Sequence, residues 1–115
     1  MADCLFCRIV AGDIPATIVK RSDEMLAFQD IDARAPVHVL VIPARHVAAV
    51  RDAKGPDGER LLGRLLAFAA EVAGEQGLDR DGYRIVTNTG KNAGQSVDHL
   101  HLHLLGGRKL TWPPG

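Results

Sequence analysis

The hydrophobic positions of the chain change period along its length, and each change predicts an element. In Cys4-Leu-Phe-Cys-Arg-Ile-Val10 the apolar Leu5, Phe6 and Ile9 share one side of a short helical turn, which Ala11-Gly-Asp-Ile-Pro15 ends. The β-branched run Thr17 to Lys20 and the apolar run Met25 to Gln29 read as a hairpin turned by Ser22-Asp23-Glu24. After a loop over 30–36, Val37 to Ile42 is apolar except at His38, which suits a central strand that Pro43 stops. Residues 46–51 predict a short helix, and 52–58 a loop marked by Gly-Pro and Asp-Gly. From Glu59 to Gly77 the residues Leu61, Leu62, Leu65, Leu66, Phe68, Ala69 and Val72 recur at helical spacing. Gly77 before Leu78 then reads as a left-handed cap with its hydrophobic contact. A fourth strand follows over 83–88, a glycine-rich loop over 89–97 and a fifth strand over 99–105. Residues 106–115, ending Trp-Pro-Pro-Gly, predict irregular structure. These elements make an α+β domain: a five-stranded antiparallel meander sheet, one long helix, and short N-terminal and mid-chain helices.

Composition narrows the partners. A chain of 115 residues holds one domain, 1–115, with no room for a second core. Fourteen basic and fourteen acidic residues balance to zero, which argues against nucleic-acid binding by counterion release and against a basic membrane surface. No apolar run reaches the ~20 residues of a bilayer span, and Met1-Ala2-Asp3-Cys4 carries an acid where a secretory signal needs basic charge. A cytoplasmic protein is expected.

Three of the five histidines lie within five residues. His99-Leu-His101-Leu-His103-Leu-Leu105 alternates with period two, so in a strand all three imidazoles share one face and the leucines face the core. A solvated polar face explains one such histidine more readily than three in register. A single ion bound by all three is excluded by reach, because three ligands along one strand span ~13 Å while each must sit at ~2 Å. A row of imidazoles instead suits nucleophilic and proton-transfer chemistry at phosphorus near neutral pH. The preceding Asn88 to Val97 holds two glycines with Gln95 and Ser96, donors for phosphate oxygens, without the Gly-Lys-Ser/Thr of a P-loop. The pair Cys4-x-x-Cys7 has three readings: two small residues on a partly buried turn, a redox pair lacking its βαβ context, or half of a tetrahedral zinc site completed by two histidines.

The row His99 to Leu105 resembles the signature of the histidine triad superfamily. Phe28-Gln-Asp-Ile31, Ala35 to Pro43, Gly94-Gln-Ser-Val97, Leu105-Gly-Gly-Arg108 and Trp112-Pro-Pro-Gly115 resemble segments of its nucleotide-binding Hint branch. That resemblance implies a homodimer whose two sheets join into one, and hydrolysis of purine nucleoside phosphoramidates and aminoacyl adenylates without a catalytic cofactor. By position, His101 corresponds to the nucleophile that forms a nucleotidyl-histidine, with His99 and His38 orienting it. His103 and Ser96 correspond to the pair facing phosphate and leaving group. Asn88, Gly94, Gln95 and the Val97 amide correspond to the phosphate cradle and Asp30 to the ribose contact. Leu5, Phe6, Ile9, Phe28, Ile31 and Leu40 would enclose the base, and Trp112 would reach the partner's site. Bacterial relatives with the cysteine pair imply zinc on Cys4, Cys7, His46 and His99. Asp98 stands where Hint relatives more often have an uncharged or aromatic residue, and alternation turns it away from the histidines. The rival readings are a Fhit-type dinucleoside polyphosphate hydrolase, disfavoured by the ending at residue 115, and a zinc-stabilised nucleotide-binding protein without turnover.

Overall fold

Strand β2 (Met25–Gln29) turns Met25 and Ala27 to one face and Leu26 and Phe28 to the other, and all four are buried. Strand β3 (Val37–Pro43) does the same with Val39 and Val41 against Leu40 and Ile42. Strands buried on both faces need cover on both, and the chain supplies it unequally. The long helix α2 (Gly55–Glu75) lays Leu61, Leu65, Phe68, Ala69 and Val72 on one face. The short helix α1 (Leu5–Ala11) brings Phe6 and Ile9 to the other. This computed structural model describes residues 3–115; the reading of Met1 and Ala2 as free of a secretory signal lies outside the described residues.

Strands β1 (Ile18–Arg21), β4 (Tyr83–Val86) and β5 (Leu102–Gly106) complete an antiparallel sheet of order β1-β2-β3-β5-β4. The meander therefore runs through β1, β2 and β3. Helix α2 then carries the chain to the far edge, and β5 returns to pair between β4 and β3. In that register Leu40 faces His103 and His38 faces Leu105, which makes His38 and His103 diagonal neighbours across 65 residues of chain.

Several boundaries move, each for a local reason. Helix α2 begins at Gly55 because Pro56 occupies its first turn, where the fixed φ of proline suits entry. Its end follows the predicted cap. Gly77 has φ 75°, Leu78 N–H donates to the Ala73 carbonyl at 2.9 Å, and Leu78 is buried. The helix predicted over 46–51 shrinks to a 3-10 turn at Val50–Asp52, because the backbone carbonyls before it are used crosswise. The Val47 carbonyl accepts from Leu100 N–H at 2.6 Å and the Ala48 carbonyl from Gln95 Nε2 at 2.7 Å. The same cross-bonding delays β5 to Leu102 and ends β4 at Val86, since the Thr87 hydroxyl donates to the His101 carbonyl at 2.9 Å. Beyond Gly107 the chain is irregular, and Trp112, 79% exposed, lies under the Arg84 guanidinium. Among the described residues no helix is long and apolar enough to cross a membrane.

Two glycines of α2 give opposite expectations for the same substitution. A Cβ at Gly58 would stand 2.3 Å from the backbone carbon of Ala53, whereas at Gly63 it meets nothing within 4 Å. Alanine gains up to ~1 kcal/mol over glycine in an unobstructed helix, so Gly63→Ala should raise the urea midpoint. Gly58→Ala should lower stability by about 2 kcal/mol, because backbone cannot swing aside as a side chain can. Equal midpoints for the two variants would contradict the packing of Ala53 on α2.

Candidate active site

The segment 99–105 keeps its alternation even where it leaves the ladder. Leu100, Leu102 and Leu104 enter the core under α2, and the three imidazoles take the α1 face. Phe6 stands edge-on to His99 and His101, with ring centroids at 5.9 and 5.2 Å, and packs on Phe28 at 5.5 Å. His101 is 3% exposed and its ring lies 5.1 Å from that of His103.

The hydrogen-bond partners fix where each neutral ring carries its proton, because carbonyls only accept and amides only donate. His101 Nδ1–H donates to the carbonyl of His99 at 2.7 Å, which leaves the lone pair on Nε2. His99 Nε2–H donates to the Pro43 carbonyl at 2.8 Å, which leaves its lone pair on Nδ1. The Arg34 amide donates to His38 Nδ1 at 3.0 Å, so His38 carries its proton on Nε2. That proton is offered to His103 Nδ1 at 2.9 Å, with Asp30 Oδ2 3.3 Å away. His103 in turn keeps its proton on Nε2. His99 holds His101 through its backbone carbonyl, and the His38 ring meets His103 directly, so it can reach His101 only through that neighbour.

Burial pushes the His38 imidazole below the usual histidine range, against the pull of Asp30 and Asp32 and with help from Arg34. His103 is lowered first by burial, then by His101 and His38, with Asp30 opposing. Both rings are therefore neutral at pH 7. As the pH falls below their ordinary value of ~6.5, the unfolded chain takes up protons that the folded chain refuses. Stability should be level above pH 6.5 and decline below it, towards the lowered folded values. Urea titrations of chelator-treated protein check this, since metal release then adds nothing. His38→Asn should flatten part of the decline, and an unchanged slope would contradict a neutral buried His38.

Four ligand atoms converge around His99 Nδ1. Cys4 Sγ lies 3.3 Å from His99 Nδ1, Cys7 Sγ lies 3.5 Å from the same nitrogen, and Cys7 Sγ lies 3.3 Å from His46 Nδ1. All four ligand atoms fall within 4.8 Å of one another. A tetrahedron with Zn–S near 2.3 Å and Zn–N near 2.05 Å has N···S edges of about 3.5 Å, so the donor set fits zinc. The Pro43 carbonyl supplies the outer contact that directs the His99 lone pair inward. With no metal the Cys7 thiol is pushed up by burial and by Cys4. Asp30, His38 and His103 also converge within 4.8 Å, but the Arg34 amide holds the His38 proton on Nε2, the atom an ion would need. That trio suits proton transfer better than metal binding.

The glycine-rich loop is braced from within. Gln95 Oε1 accepts from Gly90 N–H at 2.9 Å, and Nε2 donates to the carbonyls of Ala48 and Val97 at 2.7 and 3.0 Å. With both amide hydrogens engaged, Gln95 shapes the loop, and its expected side-chain contact with phosphate is corrected to a structural brace. Gly94, with φ 80°, closes the 3-10 turn Lys91–Ala93 and leads into exposed Ser96 and half-buried Val97. Asn88 is half-buried beyond the end of β4. Ser96, Val97 and Asp98 line a cavity of about 550 Å³ with Leu5, His46 and Cys4. Alternation turns Asp98 away from the imidazoles, but it does line this cavity. Of the expected base-enclosing residues, Phe6, Ile9, Phe28 and Leu40 are buried as a floor, while Leu5 and Ile31 are exposed. Asp30 Oδ1 accepts from Asp32 N–H at 2.9 Å, and its second oxygen faces His38. Sequence reasoning missed Pro43, Thr87 and Arg34, which act through backbone groups or a lone hydroxyl that no motif marks.

A five-stranded sheet with three alternating imidazoles on one face and a fourth from the neighbouring strand defines a histidine triad protein. The HIT domain model matches residues 11–110, and the chain belongs to the HIT domain family. It is 49% identical over 113 residues to an uncharacterized HIT-like protein of Synechococcus elongatus, covering 98% of this chain and 97% of that one. A HIT family hydrolase from Legionella pneumophila superposes with a TM-score of 0.94 at 49% identity, over 98% of this chain and 100% of the other. A histidine triad nucleotide-binding protein from Candida albicans gives a TM-score of 0.81 at 32% identity, over 96% and 83%.

Proposed function

We propose that this chain is a hydrolase of the Hint type, which splits the P–N bond of purine nucleoside phosphoramidates and releases the nucleoside monophosphate. The observation that carries the reading is the bond from His101 Nδ1–H to the His99 carbonyl, which leaves Nε2 of a buried ring as the free nucleophilic nitrogen. Attack by Nε2 on the α-phosphorus forms an N–P bond as the bond to the amine breaks. His103 Nε2–H, kept in place by the His38 contact, donates a hydrogen bond to the leaving nitrogen. The amine takes its proton from solvent, since a neutral imidazole that gave up its one proton would be left as imidazolate. Water then attacks the nucleotidyl-histidine, its proton passes to solvent, the N–P bond to His101 Nε2 breaks and the monophosphate leaves. Two displacements replace one hard one, and the transition state at phosphorus is met mainly by positioning and donors. Asn88, Ser96 and the Val97 amide hold the phosphate, Asp30 the ribose, and the apolar floor of Phe6, Ile9, Phe28 and Leu40, with exposed Leu5 and Ile31, the base.

Cys4, Cys7, His46 and His99 would hold zinc, which would supply structural cross-linking rather than Lewis acidity, since four protein ligands would leave no position for substrate. Two half-exposed cysteines outside any disulfide and available as metal ligands suit a reducing, cytoplasmic setting. A homodimer, with the sheet continued across two copies and Trp112 directed to the partner's site, completes the reading; exposed Leu66, Tyr83 and Trp112 support it. The test is amine release from adenosine 5′-phosphoramidate beside a titration with AMP and an assay on a dinucleoside polyphosphate. Turnover of the amide in preference to the polyphosphate is expected. AMP binding with no turnover of either would leave a nucleotide-binding protein.

A further inference from the structure

The turn after β5 does work that the proposed reaction has not yet used. Gly107 has φ 89°, and a Cβ there would lie 2.8 Å from the Pro36 side chain, so glycine lets the chain cross directly over the β2–β3 loop. The crossing delivers Arg108 to the carbonyl of Arg34. Its Nε and Nη2 both donate to that one oxygen, at 3.2 and 2.9 Å, and its Nη1 donates to the Lys109 carbonyl at 3.0 Å. On the other side of the same residue, the Arg34 amide donates to His38 Nδ1. Asp30 is tied at the base of this loop, by its N–H on the His38 carbonyl and by Oδ2 3.3 Å from His38 Nε2. Nearer Arg34 the loop has an exposed ion pair from Arg34 to Asp32 at 2.9 Å and the Asp30 Oδ1 contact to Asp32 N–H.

We propose that Arg108 is a positioning residue: by gripping the Arg34 carbonyl it aims the Arg34 amide at His38 Nδ1, and so fixes the proton on His38 Nε2 and on His103 Nε2. The catalytic consequence rests on the function proposed above. If the amide turns away, His38 is free to carry its proton on Nδ1. Its Nε2 then accepts from His103 Nδ1–H, and His103 Nε2 becomes a lone pair with no N–H to offer the leaving amine as a hydrogen bond. The proton count on the two rings is unchanged; only its placement is reversed. An arginine suits the position because its planar fork puts two donors on one oxygen, which the point charge of a lysine cannot do.

The experiment compares wild type with Arg108→Gln and Gly107→Ala by ¹⁵N spectroscopy of the imidazoles at pH 7.5, in the protein as purified and without nucleotide. Steady-state turnover of adenosine 5′-phosphoramidate is measured beside it. Wild type should show Nε2 protonated on both His38 and His103, and both variants should shift population to Nδ1–H. In Arg108→Gln, kcat should fall about three- to tenfold, the scale of one partly exposed charge-assisted hydrogen bond, with KM changed less than twofold. Unaltered nitrogen shifts in both variants would overturn the proposal, as would a wild-type His38 protonated on Nδ1. A loss of kcat without a change in the nitrogen shifts would also overturn it, since Arg108 would then act elsewhere. If wild type turns over no phosphoramidate, the spectra still decide the positioning role, so the two readings fail separately.

Discussion

Replacing His101 with alanine is expected to abolish turnover of adenosine 5′-phosphoramidate while AMP still binds. The expected loss in kcat is about 10³- to 10⁶-fold, the range seen when the group that forms a covalent intermediate is removed and only binding contacts remain. AMP affinity should change little by comparison, because Asp30 and the 94–97 loop lie outside the deletion. The ring is buried against Phe6 and His103, so its removal also leaves a cavity. A thermal melt must accompany the assay, with about 1–3 kcal/mol of destabilisation allowed for lost packing. A folded variant keeping more than a tenth of wild-type kcat would refute the covalent role of His101. The corresponding change at His103 should cost less, because a lost hydrogen-bond donor to the transition state is partly replaced by water and typically costs about 10²- to 10³-fold.

The part of this site that could be read from the chain is the part that is local. The alternation of 99–105 places its imidazoles on one face even though the backbone leaves the β ladder before Leu102, since side-chain direction survives the loss of pairing. The cap at Gly77 and Leu78 was equally legible, because it depends on two adjacent residues. What could not be read is set by register between distant strands. The neighbour of His38 is chosen by β5 inserting beside β3, and a strand order of β1-β2-β3-β5-β4 has no signature in either strand alone. Gln95 was misjudged for a related reason: its side chain serves the carbonyls of Ala48 and Val97, and one of these comes from the far side of α2 in the chain. The entry to α2 failed differently, because Gly-Pro marks a loop and a first helical turn equally well.

Removing the metal, or the ligand that holds it, should cost both stability and turnover, because one residue joins the two sites. His99 offers its Nδ1 to the Cys4, Cys7 and His46 cluster while its carbonyl accepts from His101. Helix α1 has seven residues, too short to persist without tertiary support, yet it carries Phe6 onto His101. A metal on the cluster would pin that helix through Cys4 and Cys7, at its N-cap and first turn. Structural zinc contributes ~10–16 kcal/mol in isolated zinc-finger peptides. In this chain the sheet and α2 keep their own core, so the loss should be nearer 3 kcal/mol, or about 10 °C in Tm. Cys7→Ser should bring metal content from one equivalent per chain to near zero, lower Tm by that amount and reduce kcat about tenfold. Restoring zinc should rescue chelator-treated wild type and leave Cys7→Ser unchanged. A chain purified without added zinc that holds less than a tenth of an equivalent, yet melts no lower after chelation, would reduce the four residues to a packing cluster. Lost metal with an unchanged kcat would show that the His99 carbonyl holds His101 in place without help from its ring.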